Sequence, residues 1–483
     1  MVFSSYLFLF YFLPASLVLY YAAPRRAKHL ILTILSYVFY GWANPLFVFL
    51  LFVSTAIDYI AGLVIGRYPG VEVAEGPVGV RPVRPRAARA ALIVSLCSNL
   101  TFLGFFKYFN FGLDSYDAVV DLIGVPALQL DVALRVTLPL GISFYTFQSM
   151  SYTIDVYRGQ AMPVRSFIDF ACFVSMFPQL VAGPIIRFSE VADQLLSRTH
   201  TVTKFARGVA FFCVGLAKKV LIANPCGKIA DIAFESGDRG LLEAWYGVTA
   251  YAFQIYFDFS GYSDMAIGLG LMFGFIFAKN FDSPYRSQSI TEFWHRWHIS
   301  LSTWLRDYLY VPLGGNRKGK TRTYFNLFIV MLLGGLWHGA AWNFVVWGAL
   351  HGGLLALERL RGKASPYDWL PPPLRIAVTF VVVLFTWVFF RAPDLPQALR
   401  YAGDMIGLGD RNEASTLLPG LVYQPYHLGT FLLAGAIVWA APQTWDWTKT
   451  LTGPKALAAF LLLLLSAVAL ATQAYNPFIY FIF

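Results

Sequence analysis

Long apolar runs recur along nearly the whole chain, and the short loops between them hold most of the basic residues. Of the 483 residues, 57% are hydrophobic and 13% are charged, whereas about 25% of residues are charged in soluble globular proteins. No interval between the runs is long enough for a large soluble domain. The pattern therefore predicts an all-α polytopic membrane protein that forms a single domain over residues 1–483.

The positive charge and the cysteines do not favour another class of protein. The formal net charge is +10, but the lysines and arginines lie in short loops, as in the cytoplasmic loops of membrane proteins, so no nucleic-acid partner is predicted. The four cysteines form neither a close pair nor a metal-binding spacing, and we interpret them as small apolar residues. They are Cys97, Cys172, Cys213 and Cys226.

The apolar runs predict about a dozen transmembrane helices, of which those in residues 1–66 form the N-terminal group. No basic residue precedes the first run, "VFSSYLFLFYFLPASLVLYYAA", so it is predicted to be a membrane helix and not a cleaved signal peptide. The later spans are predicted near 30–40, 46–65, 90–106, 137–157, 166–186, 205–223, 245–275, 323–341, 343–357, 374–390, 428–441 and 456–473.

The distribution of charge predicts how the chain is oriented. The first basic cluster, "PRRAKH", follows the first run, which favours a periplasmic N-terminus because positive loops stay in the cytoplasm. By the same rule residues 67–89 form a cytoplasmic loop, and Lys218, Lys219 and the stretch 317–322 mark further cytoplasmic edges. The acidic stretch 114–131 is predicted to be an outer loop.

One region interrupts the apolar pattern. Asp258 and Asp264 lie inside a long apolar helix pattern, and ionised groups at that depth are costly, so we expect them in structural ion pairs of a polar interior. The segment "TEFWHRWHISLSTWLRDYLY", residues 291–310, is too polar to span lipid and too aromatic for a solvated loop. It is predicted to be a re-entrant or interfacial helix, in which Arg306 pairs with Asp307 and Glu292.

The order of the motifs is specific. "FWHRWHISLSTWLRDYLY" is followed by "LGGNRKG" and by an apolar helix with "GGLWHGA". With "FPQLVAGPIIRF" and "YFDFSGYSDMAIGLGLMFGF" before them, the chain resembles the membrane-bound O-acyltransferase family, and within it the membrane subunits of bacterial alginate O-acetylation. The resemblance implies helices around a central funnel and a catalytic core in 245–357. By analogy it also implies a cytosolic thioester donor, acetyl-CoA, and an acceptor across the membrane. The signature histidines of the family match His298 and His338.

The surroundings of His338 suit a general base. Acyl transfer to a hydroxyl needs a group that takes the hydroxyl proton, and an imidazole in apolar surroundings stays neutral at pH 7. Gly334, Gly335, Gly339 and Ala340 are expected to leave space for a substrate. The alternative is a core histidine that forms hydrogen bonds between helices.

The other histidines are assigned different roles. His298 either orients the substrate, binds the donor or holds the re-entrant helix through a hydrogen bond. His295 precedes it by three residues, but no metal-binding motif accompanies the pair, so no metal is predicted. His351 is predicted to be interfacial.

An integral-membrane O-acyltransferase explains both signature histidines and the re-entrant segment. A transporter or flippase would show repeated broken helices, and a structural export subunit would tolerate the loss of His338. Alginate is the nearest analogy for the acceptor, with cellulose and other envelope polymers as alternatives. The resemblance further implies a bacterial inner-membrane location and periplasmic partner proteins that modify the polysaccharide.

Overall fold

Contacts divide the chain into two compact units. The computed structural model describes residues 1–68, 71–73, 81–130, 135–237, 239–362, 364–409, 413–473 and 475–479. The first unit comprises Met1–Thr201 with Phe273–Phe277, and the second comprises Val202–Met272 with Ala278–Phe483. The single domain of the sequence analysis stays a prediction.

The first unit is helical apart from one short antiparallel strand pair. The strands β1, Val71–Val73, and β2, Arg81–Val83, pair with Glu72 opposite Pro82; they belong to the predicted cytoplasmic loop, of which 69–70 and 74–80 lie outside the described residues. A π-helical turn, Leu7–Phe12, opens the unit. Its α-helices are α1 Leu13–Ala22, α2 Lys28–Gly41, α3 Pro45–Gly66, α4 Arg86–Leu122, α5 Ile142–Arg158, α6 Phe167–Ser175, α7 Phe177–Leu180 and α8 Phe188–Leu196.

The second unit contains both signature histidines. Two π-helical turns, Lys218–Ala223 and Arg306–Tyr310, continue α9 and α13. Its α-helices are α9 Val202–Ala217, α10 Asn224–Glu235, α11 Leu241–Met272, α12 Ile290–Arg296, α13 Ile299–Leu305, α14 Lys320–His338, α15 Trp342–Leu360, α16 Pro372–Arg391, α17 Leu395–Met405, α18 Glu413–Val422, α19 Pro425–Ala440, α20 Thr444–Trp447 and α21 Gly453–Thr472.

Four helices of the described chain are long and apolar enough to cross a membrane: α3, α4, α16 and α21. Leu7–Ala22 and α19 are shorter apolar helices. The count of about a dozen spans therefore stays a prediction. Hydropathy does not select α11 because this helix of 32 residues carries Glu243, Asp258 and Asp264.

Helix α4 corrects the predicted outer loop. Its 37 residues continue to Leu122, so Asp114, Asp117 and Asp121 are helical and not in a loop, while 131–134 lie outside the described residues. At about 1.5 Å per residue the helix is about 55 Å long, well beyond the roughly 30 Å of a hydrocarbon core. The acidic side chains therefore lie on its extension.

The ion pairs of α11 confirm the expectation for Asp258 and Asp264. Lys219 Nζ lies 3.0 Å from Asp258 Oδ1, and Lys218 Nζ lies 2.7 Å from Asp264 Oδ2. The interpretation of the two lysines as a cytoplasmic edge is wrong, because Lys219 is buried and Lys218 is nearly so. They serve as the internal counterions of the two carboxylates, which offsets part of the cost of burying charge.

Glycines allow α9 and α11 to pack at backbone distance. A Cβ at Gly268 would lie 2.6 Å from the carbonyl oxygen of Gly208, and one at Gly215 would lie 2.5 Å from that of Gly261. Each helix thus presents two glycines seven residues apart to its partner. Small residues at such spacing are typical of membrane helices that associate through close van der Waals contact, and this contact fixes the position of α11.

Candidate active site

A sharp break lies where one helix was predicted. The segment 291–310 forms α12, α13 and a π-helical turn, and Trp297 and His298 separate the two α-helices. His298 has φ of +43°, in the left-handed region, and among the described residues Ser283 is the only other non-glycine residue with positive φ. Such a conformation is uncommon for a residue with a side chain, so the surrounding structure must hold it.

His338 is the last residue of α14. The chain then becomes extended at Gly339, and α15 begins at Trp342, so α14 and α15 form an antiparallel hairpin. The interpretation that Gly335 and Gly339 leave space for a substrate is wrong. A Cβ at Gly335 would collide with the carbonyl oxygen of Phe344, and one at Gly339 with the ring of the same residue. These glycines allow the hairpin to close, and thereby fix the end of α14.

The fold brings His298 and His338 together. Their ring centroids lie 6.3 Å apart with an interplanar angle of 60°, and the exposed fractions are 0% for His298 and 7% for His338. The nitrogens of two rings at this separation are at least about 4 Å apart, too far for a direct hydrogen bond between the imidazoles.

Aromatic rings enclose both imidazoles. The His298 ring has an edge contact with Phe259, with 4.6 Å between centroids. Trp347 and Phe390 lie 5.3 and 5.1 Å from His338. Burial lowers the pKa of His298 to about 3, because the charged form is poorly solvated there. The ring is therefore neutral throughout the physiological pH range.

His351 is a structural residue of the core, and its predicted interfacial position is wrong. It is fully buried. Its Nδ1 accepts a hydrogen bond of 3.2 Å from Trp294 Nε1, and its Nε2 lies 3.1 Å from the Thr386 hydroxyl. That hydroxyl donates to the carbonyl of Val383, so Nε2 must be the donor to it. Both ring nitrogens are thus committed, and neither can take a proton from a substrate.

The remaining polar residues of the segment form local ion pairs. Arg306 and Asp307 are 2.7 Å apart, as predicted. Glu292 pairs with Arg296 at 2.8 Å and not with Arg306. Glu292 and Arg296 are one turn of α12 apart, so their side chains are neighbours on the helix surface. In the described part of the chain, no group of three or more histidine, cysteine, aspartate or glutamate side chains is placed to hold a metal ion.

A cavity of about 610 Å³ adjoins the site, and sequence reasoning missed it. Arg306 and Arg359 line it together with His295, and Ile299, the residue after His298, also lies in its wall. The remaining wall is largely apolar. No linear motif joins residues that four helices contribute, so the sequence gives no sign that Arg306 and Arg359 line one cavity.

The chain belongs to the membrane-bound O-acyltransferase family, whose model matches residues 160–393, a range that contains both signature histidines. It is therefore an O-acyltransferase of a membrane-bound family. It is 46% identical to a probable alginate O-acetylase of Azotobacter vinelandii over the full length of both chains. It is 51% identical to a probable alginate O-acetylase of Pseudomonas aeruginosa over 85% of this chain and 75% of the relative, and 37% identical to a peptidoglycan O-acetyltransferase of Helicobacter pylori over 84% and 80%.

Proposed function

We propose that this enzyme moves an acetyl group from acetyl-CoA, on the cytosolic side of a bacterial inner membrane, to an acceptor on the outer side, for O-acetylation of an exopolysaccharide such as alginate. The full-length similarity to probable alginate O-acetylases supports this acceptor. Because one relative is named as a peptidoglycan O-acetyltransferase, peptidoglycan is an alternative acceptor. Cellulose is another alternative. The observation that carries the proposal is the pair of buried imidazoles 6.3 Å apart.

The cavity is suited to the donor. Arg306 and Arg359 can neutralise the phosphates of coenzyme A, and the apolar wall suits the uncharged arm that carries the thioester. The basic stretch 317–322 spans the start of α14, and because positive loops favour the cytoplasm we assign it to the cytosolic side. By the same rule the basic cluster after the first apolar run favours a periplasmic N-terminus. His338 lies at the other end of α14, about 27 Å along the axis, and the cavity extends as far as Ile299.

The two imidazoles suit the acyl-transfer step. We assign to His338 the removal of the proton from an acceptor hydroxyl that lies between the rings. The hydroxyl oxygen then attacks the thioester carbonyl, the carbon–sulfur bond breaks, and the thiolate leaves with the proton from the imidazolium. Neutral His298 accepts a hydrogen bond from a neighbouring hydroxyl of the acceptor and thereby orients the attacking group. The aromatic rings keep water, a competing nucleophile, out of the site.

Periplasmic proteins complete the modification in this proposal. The turns beside His338, residues 339–341 and 392–394, contain only three residues each, so they offer little surface to hold a polymer. We expect a partner protein to present the acceptor, or to receive the acetyl group and pass it on. Purified enzyme that acetylates the polymer at full rate without any partner would contradict this expectation.

Deletion of the gene in its host tests the proposal. The O-acetyl content of each secreted and envelope polysaccharide is measured by ester assay and NMR, with complementation by the wild-type gene and by His338→Gln. Loss of acetyl groups from an alginate-like polymer, restored only by the wild type, is the expected result. Loss from cellulose or peptidoglycan alone would reassign the acceptor, and no change in any polymer would refute the function.

A further inference from the structure

We propose that Asn280 is a positioning residue that holds His298 in one tautomer, with a hydrogen on Nδ1 and a lone pair on Nε2. The inference rests on the proposed function, since it assigns to His298 the state that the acyl transfer needs. Asn280 lies between α11 and α12 and is 1% exposed. Its side-chain oxygen contacts three polar groups, which belong to His298 in the helix break and to Ser300 just after it.

The contacts of Asn280 determine which atom of its side-chain amide faces the histidine. Oδ1 accepts from the backbone N–H of Ser300 at 3.2 Å and from the Ser300 hydroxyl at 2.9 Å, and it lies 3.2 Å from Nδ1 of His298. A backbone N–H is only a donor, so the amide atom that faces it must be the oxygen. The same oxygen can only accept from the imidazole, and Nδ1 of His298 must therefore carry the hydrogen.

The other ring nitrogen is then left as an acceptor. A neutral imidazole has one hydrogen, so Nε2 of His298 bears a lone pair. This atom is buried and has no hydrogen-bond partner among the described residues. Buried polar atoms are nearly always satisfied, and because this one belongs to a ring 6.3 Å from that of His338, we infer that it meets a ligand. The ligand must supply a donor, as the hydroxyl of an acceptor does.

Asn280 also holds the backbone of the break. Its carbonyl oxygen accepts from the N–H of Ile299 at 2.9 Å, immediately after the left-handed His298. One residue thus fixes both the backbone conformation and the ring of the histidine. Uncommon backbone conformations persist where their surroundings determine them, and they cluster at functional sites.

Charged groups near Asn280 allow a substitution that separates positioning from packing. Lys218, Lys279 and Asp264 line a small cavity of about 10 Å³ together with Asn280. In Asn280→Asp a carboxylate would still accept from Nδ1–H, with two lysines near enough to moderate the added charge. Because a carboxylate stabilises the imidazolium more than an amide does, this variant should raise the pKa of His298. In Asn280→Ala the Nδ1–H loses its partner, and the inactive tautomer becomes accessible.

The experiment compares transfer by inverted membrane vesicles that contain the enzyme and its periplasmic partners. The probe is acetyl-CoA with a radioactive acetyl group, and incorporation into acceptor is followed from pH 4 to 9. Asn280→Ala should lower the rate about 10- to 100-fold, the usual effect of losing a group that orients an active-site histidine. Asn280→Asp should retain more activity, with the acidic limb of its profile displaced to higher pH. Asn110→Ala, which removes an amide far along the chain in the first unit, is the control for membrane abundance and thermal stability.

A double-mutant cycle distinguishes the two proposals. If Asn280 acts through His298, then Asn280→Ala lowers the rate of wild type but not that of His298→Ala. Equal losses in both backgrounds would overturn the positioning role and leave the function intact. Normal transfer by His298→Ala would instead remove the role proposed for that histidine. Should Asn280→Ala fail to accumulate, Asn280→Asp decides, since an unshifted pH profile contradicts the inference.

Discussion

Replacing His338 and His351 by alanine should produce opposite effects, although both residues are buried histidines of the same helical hairpin. In His338→Ala the proposed base is lost, and we expect transfer to fall about 10²- to 10⁴-fold, equivalent to about 3–5 kcal/mol in the barrier. The remaining aromatic rings close around a methyl group, so membrane insertion should continue. His338→Gln, which keeps most of the volume but is no base, should be as inactive.

His351→Ala should mainly reduce stability. It breaks the hydrogen bonds with Trp294 and Thr386, each worth about 1 kcal/mol, and leaves the buried indole N–H unsatisfied at a further cost of about 1–3 kcal/mol. A cavity inside the aromatic core adds to the loss. A total loss of at least about 3–5 kcal/mol would lower abundance and the temperature of unfolding. Each folded molecule should nevertheless keep substantial activity, because neither nitrogen of His351 faces the reaction.

The assay measures O-acetyl groups per sugar in secreted polymer, divided by the amount of folded enzyme in the membrane. Thermal unfolding in detergent is followed for the same variants. We expect low specific activity and a near-normal unfolding temperature for His338→Ala. For His351→Ala we expect substantial specific activity and a lowered unfolding temperature. Near-normal acetylation by His338→Ala at equal abundance would return that histidine to the packed core. Full stability of His351→Ala would show that its hydrogen bonds contribute little.

Gly268→Leu should prevent stable packing of α9 on α11 and reduce membrane abundance strongly, whereas Gly353→Leu, with open space around its Cβ position, should accumulate normally; equal abundance would contradict the packing. Because the pKa of His298 falls to about 3 on folding, the unfolded state binds more protons between pH 3 and 6.5, so stability is full above 6.5 and declines below it. Between pH 7.5 and 5 the free energy of unfolding of His298→Gln should therefore fall by about 2 kcal/mol less than that of the wild type. Equal decreases in the two proteins would refute this. In a cysteine-free background, an impermeant reagent outside the cell should label Asp394→Cys and not Arg317→Cys; the reverse would invert the orientation.

Hydropathy predicted the positions of many helices, but not how charge is accommodated between them. Helix α14 was expected near 323–341 and spans Lys320–His338, and α16 was expected near 374–390 and spans Pro372–Arg391. The lysines of the 218–219 pair were misassigned because a basic residue beside an apolar run looks the same whether it faces water or a buried carboxylate. Only the packing of α9 on α11 shows that the two lysines face the buried carboxylates of Asp258 and Asp264.

The site residues were predictable as residue types, but their arrangement was not. The motif resemblance selected His298 and His338, whereas the prediction of one re-entrant or interfacial helix for residues 291–310 assumed that the helix was unbroken. The break depends on Asn280, which precedes His298 by 18 positions and bonds to the segment after it. Periodicity describes neighbours along one helix, so it cannot detect a side chain from another segment that stabilises a left-handed residue.

The aromatic enclosure of the two imidazoles makes the proposed chemistry workable. An imidazole in water is partly protonated near neutral pH, whereas the His298 ring is neutral because protonation in an apolar site is costly. The same desolvation would make an unpartnered nitrogen unstable in an ordinary core, as the fully bonded His351 illustrates. His298 differs in having one nitrogen satisfied by the fold and the other available, and this asymmetry distinguishes a histidine that awaits a substrate from one that only packs.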